Sequence, residues 1–403
     1  MTYPMDARYR TFIRSFYVYR FFADFAFVYA VYIILFQQNG LSVLEISLLL
    51  SLWCAFFILF EIPTGALADK WNRKAMLGLG MVSKAMGFGC WLFARGFGLF
   101  ALGFLFWGIQ ETFSSGTQEA LLYDNLRHFQ REKDYERIAG RGHFYARLGT
   151  AMAVFLGGFM AAYSMNLVLV LSSISMMVGT IPILFFREIR YDSNSSGHVT
   201  YTRVLKDAFS LALRNTSILR LFLYSAVFLA VVGILDEYEQ LYFHWAGLPI
   251  AFFGVMMVMR MGFEALGSRW AFRFERIVQS ENNIHGLSIL SGLLLIISLT
   301  AKTVLLIPVF ALVFFLGAMG EVITEARLQR LIPSGQRATI LSMNNFLFGG
   351  SAIGLTLLFG GLSRIGDLTW GFYAFALIII VYSTVSLLKH REQRTGENTH
   401  VKE

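Results

Sequence analysis

FEIPTGALADKWNRKAML, residues 60–77, joins two environments that exclude each other. Before it, no charge occurs from Ile46 to Phe60. Within it stand a lone carboxylate at Glu61, then Gly65 and Asp69, then the cations Lys70, Arg73 and Lys74. An apolar run ending in a dense charged cluster is the pattern of a helix leaving a bilayer: about 20 apolar residues cross the hydrocarbon, and flanking Lys and Arg decide on which side it emerges. Glu61 falls inside the membrane portion, where an ionisable group needs a reason.

The whole chain repeats this pattern. Of its 403 residues 56% are hydrophobic and only 15% charged, with mean hydropathy +0.58; soluble proteins sit nearer about 45–50% apolar. Apolar runs mark spans at roughly 16–38, 43–68, 75–94, 97–122, 142–162, 167–187, 217–243, 249–268, 284–300, 303–326, 338–361 and 369–388. The expected fold is therefore an all-α polytopic membrane protein with twelve transmembrane helices. Of its 34 Lys and Arg, the predicted outer loops hold only Arg95, Lys302 and Arg364, so the positive-inside rule sets both termini in the cytoplasm. The net charge of +8 is thus a topology signal, and no nucleic-acid partner is expected. The N-terminus has no short apolar core with a small-residue cleavage site, so the first span is expected to serve as an uncleaved insertion signal. Cys54 and Cys90 lie in apolar runs and read as packing. Neither metal nor cofactor is expected, no enzyme motif occurs, and a monomer is expected in the lipid.

The longest connection, 188–216, is Ser/Asn/Gly-rich at its centre and ends in a potentially amphipathic stretch. It separates an N-terminal bundle (1–187) from a C-terminal one (217–388), with a tail at 389–403. The halves echo each other: ALADKWNRK (66–74) aligns with ALGSRWAFR (265–273), matching Ala66, Leu67 and Trp71 to Ala265, Leu266 and Trp270. Two six-helix repeats about a pseudo-symmetry axis are a transporter architecture, with substrate bound near the midplane.

At this point the opening stretch resembles the signature of the major facilitator superfamily, G-x-L-x-D-R-x-G-R-R/K. It stands here as Gly65, Leu67, Asp69, Lys70, Asn72, Arg73 and Lys74. Lys70 keeps the cation, and Asn72 stands where a turn glycine would, as the residue that best tolerates positive φ after glycine. RATILSM (337–343) is also similar to that superfamily. The resemblance implies a cytoplasmic gate: Gly65 for close helix approach, Asp69 facing a helix N-terminus, and Arg73 paired with Asp124. It also implies alternating access. A glycine pattern of superfamily exporters in span five is kept at Gly149, Gly157 and Gly158 but lacks its proline, and the usual span-four arginine is replaced by Glu111 or Thr112.

Each buried charge suggests a role, since one costs about 2.5–3.5 kcal/mol at a bilayer centre. Asp24 lies one turn from Arg20 and is expected to pair with it. Glu111 and Glu119 in span four are expected on one face. A carboxyl group in low dielectric keeps its proton to higher pH and loses it when an arginine approaches, so Glu111, Asp24 and Glu119, toggled by Arg147, are the expected proton-coupling residues. One proton crossing about 100 mV supplies about 2.3 kcal/mol, a roughly fiftyfold gradient. The repeat aligns Glu61 with Arg260. The pair either acts across a substrate cavity, or each is satisfied in its own half, Glu61 by Arg147 or Arg20 and Arg260 by Asp236 or Glu264. Glu237 and Glu321, with Phe27, Tyr32 and Tyr238, complete the expected cavity. The expected function is proton-coupled secondary transport of a small organic molecule in the bacterial inner membrane, with export ahead of import. The alternatives are symport uptake of a nutrient or siderophore-like chelate, and lipid translocation.

Overall fold

The computed structural model describes residues 4–189, 215–277, 283–332 and 337–400, and for residues 4–6, 62, 63, 65–70, 283, 337–339 and 390–400 it describes the backbone alone. Most of the central connection and the side chains of Gly65, Asp69 and Lys70 therefore lie outside the described residues. Every regular element among the described residues is helical. Ten of these stretches are long and apolar enough to cross a membrane. The helices Phe97–Ser114 and Asn283–Ser298 stand where the sequence places the fourth and ninth spans.

The chain divides into two compact units. The first comprises Met1–Leu41, Leu49–Ser196 and Pro249–Val258. It holds α1 (Pro4–Phe22), α2 (Tyr32–Gln38), most of α3 (Val43–Lys70), α4 (Arg73–Phe93), α5 (Phe97–Ser114), α6 (Thr117–His128), α7 (Tyr135–Tyr163) and α8 (Met165–Val178). The second comprises Ser42–Leu48, Gly197–Leu248 and Met259–Glu403. In it lie α9 (Thr216–Tyr224), α10 (Ala230–Trp245), most of α11 (Phe253–Ile277), α12 (Asn283–Ser298), α13 (Ile307–Leu331), α14 (Arg337–Ile365) and α15 (Leu368–His400). A wider π-type turn, Ser225–Leu229, joins α9 to α10 within the seventh span.

The first turns of α3 and α11, the helices that the sequence echo pairs, are each counted with the other unit. Within the second unit, Ser42 and Glu45 form a reciprocal capping box (Ser42 N–H to Glu45 at 2.8 Å, Glu45 N–H to Ser42 Oγ at 3.3 Å) that starts α3. Ser47 then meets the Tyr238 hydroxyl at 2.5 Å. Within the first unit, a Cβ at Gly254 would overlap the Val154 carbonyl, and one at Gly158 would meet the Ala251 carbonyl at 2.9 Å. Only glycine lets these backbones approach so closely.

Two of the expected continuous helices are broken where they bear on the site. The first span unwinds after Phe22 and resumes as a short 3-10 turn, Phe27–Ala30. The fourth breaks at Ser115 and Gly116, where Gly116 takes a left-handed φ of 69° that glycine adopts at little cost. Glu111 and Glu119 therefore belong to different helices, α5 and α6, and do not share one continuous face.

Candidate functional site

The break in the first span is built by its neighbours. Ser175 of α8 donates its hydroxyl to the Phe25 carbonyl at 2.5 Å, and the Val28 N–H donates to Ser172 Oγ at 3.0 Å. Both serines are buried and satisfy backbone groups that the lost helical turns leave open. On the other side, α7 presents Gly149 and Gly157 so close to the carbonyls of Phe21 and Phe27 that neither could carry a Cβ. Irregular backbone at membrane depth survives only where protein or a wet cavity satisfies it; here the serines do so, and the glycines give the carbonyls room.

Asp24 sits at this break. Lys84 of α4 donates to Asp24 Oδ1 at 2.7 Å, and the Tyr29 hydroxyl donates to the same oxygen at 3.2 Å. The two partners differ in environment: the Lys84 side chain is 0% exposed, the Asp24 side chain 47%. The Lys84 ammonium also lies 5.3 Å from the Tyr29 ring and 5.2 Å from the Trp107 ring. These rings stack at 5.1 Å, an arrangement that holds a cation by its quadrupoles. Trp107 in turn donates its indole N–H to Glu111 at 3.0 Å, and Trp53 stands 5.5 Å from it. One cation and two carboxylates thus share an aromatic box inside a single unit.

This corrects the expected Arg20–Asp24 pair. Unwinding removes the helical register that would have set them one turn apart, and Arg20 instead donates to Gln118 at 2.5 Å, with His143 at 3.2 Å. Lys84 is the residue that sequence reasoning missed, although the signal was present: a lone lysine in MVSKAMGFGC (81–90) carries the same membrane penalty as the carboxylates. Glu119 lies in the first turn of α6, accepts from Gln118 at 3.0 Å and is half-buried, while Arg147 is exposed on α7. Glu61 is exposed on α3. Phe27 is buried against Phe25, and Tyr32 is buried against Trp91 and Phe104, so both serve the aromatic core.

The second unit holds a cluster of its own. Arg260 of α11 is bound by Asp236 at 2.5 Å and Glu239 at 2.7 Å, both from α10, and by Glu264 one turn along its own helix. Its guanidinium lies 4.8 Å from the Phe314 ring. Arg260 is 7% exposed and Glu239 fully buried. Asp236 and Glu264 are the partners expected from within its half; Glu239 completes the shell. Tyr238, expected along a cavity, is fully buried instead, stacked 3.9 Å from Phe359. Glu237 is half-buried and Glu321 exposed.

At the charged end of the first unit Arg73 and Asp124 form the expected ion pair. Asn72 does not take a left-handed turn: its φ of −67° is ordinary, and its side chain caps α4 by accepting the Ala75 N–H at 2.8 Å. Glu188 adds a second cap, accepting the N–H groups of Arg73 at 3.1 Å and Lys74 at 3.0 Å, where the helix dipole favours an anion.

Helices of this number and apolarity, with paired charges inside them, define a polytopic membrane protein. The chain belongs to the major facilitator superfamily, whose family model matches residues 16–356. No curated protein matches the sequence. Among solved structures, a variant of the nucleoside transporter NupG superposes with a TM-score of 0.78 at 14% identity, covering 94% of this chain and 99% of that one. A bacterial homologue of the human lysosomal transporter Spinster gives 0.76 at 16% identity, with 97% and 98% covered. A POT family transporter in complex with a thioalcohol-conjugated peptide gives 0.65 at 14% identity, with 96% of each chain covered. At such identities the likeness is one of fold.

Proposed function

We propose that the protein is a proton-coupled secondary transporter of a small organic solute, working by alternating access across a bacterial inner membrane with both termini in the cytoplasm. The observation that carries this reading is the ion pair of Asp24 with the buried Lys84 at the break of the first span. Discontinuous helices at membrane depth are where transporters bind substrates and coupling ions. A proton arriving on Asp24 removes the charge that balances Lys84 and leaves a buried cation that must shift or find another anion. Glu111, held by Trp107 beside the same rings, is an alternative carboxylate. Proton binding is thereby tied to rearrangement around the break. The accessible face of Asp24 beside the Tyr29–Trp107 stack suits a solute with an amine or other donor group and an aromatic or apolar body. Export driven by inward proton flow is the proposed direction, and the Arg73–Asp124 pair is the proposed cytoplasmic latch, acting with Gly65 and Asp69.

Proteoliposomes loaded with a pH-sensitive dye test this. With a substrate identified by thermal-shift screening, addition of the solute should move protons in the wild type. The double variant Asp24→Asn/Lys84→Met should no longer move protons when the solute is added. Solute accumulation that ignores the pH gradient in the wild type, or proton movement that survives the double variant, rules out the proposed site.

A further inference from the structure

Away from that pair, the helix ends of the second unit enclose a separate space. Thr216–Leu223 of α9, the last turns of α11 and α13, the first turn of α12 and the stretch Val381–Lys389 of α15 surround a cavity of about 1190 Å³, above the roughly 300–1,000 Å³ of ordinary small-molecule sites. Its lining is charged in one sense: Arg220, Arg276, Arg327, Arg330 and Lys389 stand against the single described carboxylate Glu275. Glu275 is committed to Arg327 at 2.8 Å and Arg330 at 3.2 Å, so it fixes those two arginines and, among the described lining residues, leaves Arg276 and Lys389 as the cations it does not hold. Arg276 and Lys389 are exposed.

The other walls are apolar and open outward. Leu223, Phe272, Leu331 and Val385 are 47%, 64%, 40% and 43% exposed, and all line this space. A cationic floor at the ends of the spans, continuous with apolar walls facing outward along them, matches an amphiphile with an anionic head. Free phosphate would use the cations and leave the walls empty, whereas a neutral lipid would leave the cations uncompensated. The chain's own connection TRVLKDAFSLALRN (202–215) brings Arg203, Lys206 and Arg214 against one acid, Asp207, a poor match to a positive cavity. We propose that this cavity is a binding site for an anionic phospholipid. The headgroup phosphate is held by Arg276 and Lys389, and the acyl chains lie along Phe272 and Val385. The site lies on the side that the positive-inside rule assigns to the cytoplasm, where basic pockets between spans take anionic headgroups.

The test uses the full-length protein in neutral detergent, with thermal unfolding followed as phosphatidylglycerol is added. A ligand that binds only the folded state raises the melting temperature, so phosphatidylglycerol should raise it by several degrees. Phosphatidylcholine and inorganic phosphate should not. Arg276→Gln/Lys389→Gln should lose most of the rise. Native mass spectrometry supplies a readout independent of stability: the wild type should retain a phosphatidylglycerol that the double variant sheds. Retention by the variant, an equal rise with phosphatidylcholine, or a full rise with inorganic phosphate alone would each overturn the lipid site. So would a disulfide between Leu205→Cys and Val385→Cys in a Cys54→Ser/Cys90→Ser background, because the connection would then fill the cavity.

Discussion

Lys84 and Asp24 form one ion pair but are not interchangeable, because only one of them is out of reach of solvent. Removing one partner of a buried pair costs about 3–5 kcal/mol when the other charge stays buried. Asp24→Asn leaves Lys84, fully buried, without the charge that its ammonium bonds, so it should cost about 3 kcal/mol. Lys84→Met leaves Asp24, whose side chain is 47% exposed, free to hydrate, and should cost about 1 kcal/mol by the same reasoning. Thermal unfolding of the two variants in detergent reads the order directly; equal losses would mean that Asp24 is as dry as its partner. Single-residue chemistry was only partly legible in the sequence. The Arg73–Asp124 pair and the Arg260–Glu264 turn follow from local spacing and motif. Lys84 shows no spacing to its partner 60 residues away, and only the general cost of a buried cation marked it.

At the scale of the element, the sequence tells where apolar segments lie but not where they unwind. YRFFADFAFVYAVYIILF (19–36) has the composition of an unbroken helix, and its break is imposed from outside by Ser172, Ser175, Gly149 and Gly157. In the sequence Gly149 and Gly157 stand out only as part of an exporter-like glycine pattern and the serines not at all, since their purpose appears only when α7 and α8 meet the first span. The consequence is measurable. Ser175→Ala leaves the Phe25 carbonyl without the hydroxyl that bonds it at 2.5 Å, and an unsatisfied buried polar group costs about 1–3 kcal/mol. Gly149→Val is more severe, because even a Cβ would overlap the Phe21 carbonyl; the backbone of the break would have to move. Ser175→Ala should therefore express with a lowered melting temperature, while Gly149→Val should fail to yield monodisperse protein in size-exclusion chromatography. A well-behaved, fully stable Gly149→Val would show that α7 does not press against the first span as closely as described.

Across the whole molecule, each unit buries charge within itself, but with a different balance. The first sets Lys84 against Asp24 with Glu111 nearby; the second sets one guanidinium against three carboxylates. A single cation does not balance three carboxylates, so removing one anion and removing the cation should differ in the size of their effect. Glu239→Gln removes one excess anion and keeps a hydrogen-bonding partner for Arg260, so it should change stability by less than about 1 kcal/mol. Arg260→Met leaves Asp236, Glu239 and Glu264 without their cation and should cost about 3–5 kcal/mol near neutral pH. Melting temperatures of the two variants near neutral pH, each compared with the wild type, decide the point. If Arg260→Met lost no more stability than Glu239→Gln, the three carboxylates would not be carrying the charge that Arg260 balances.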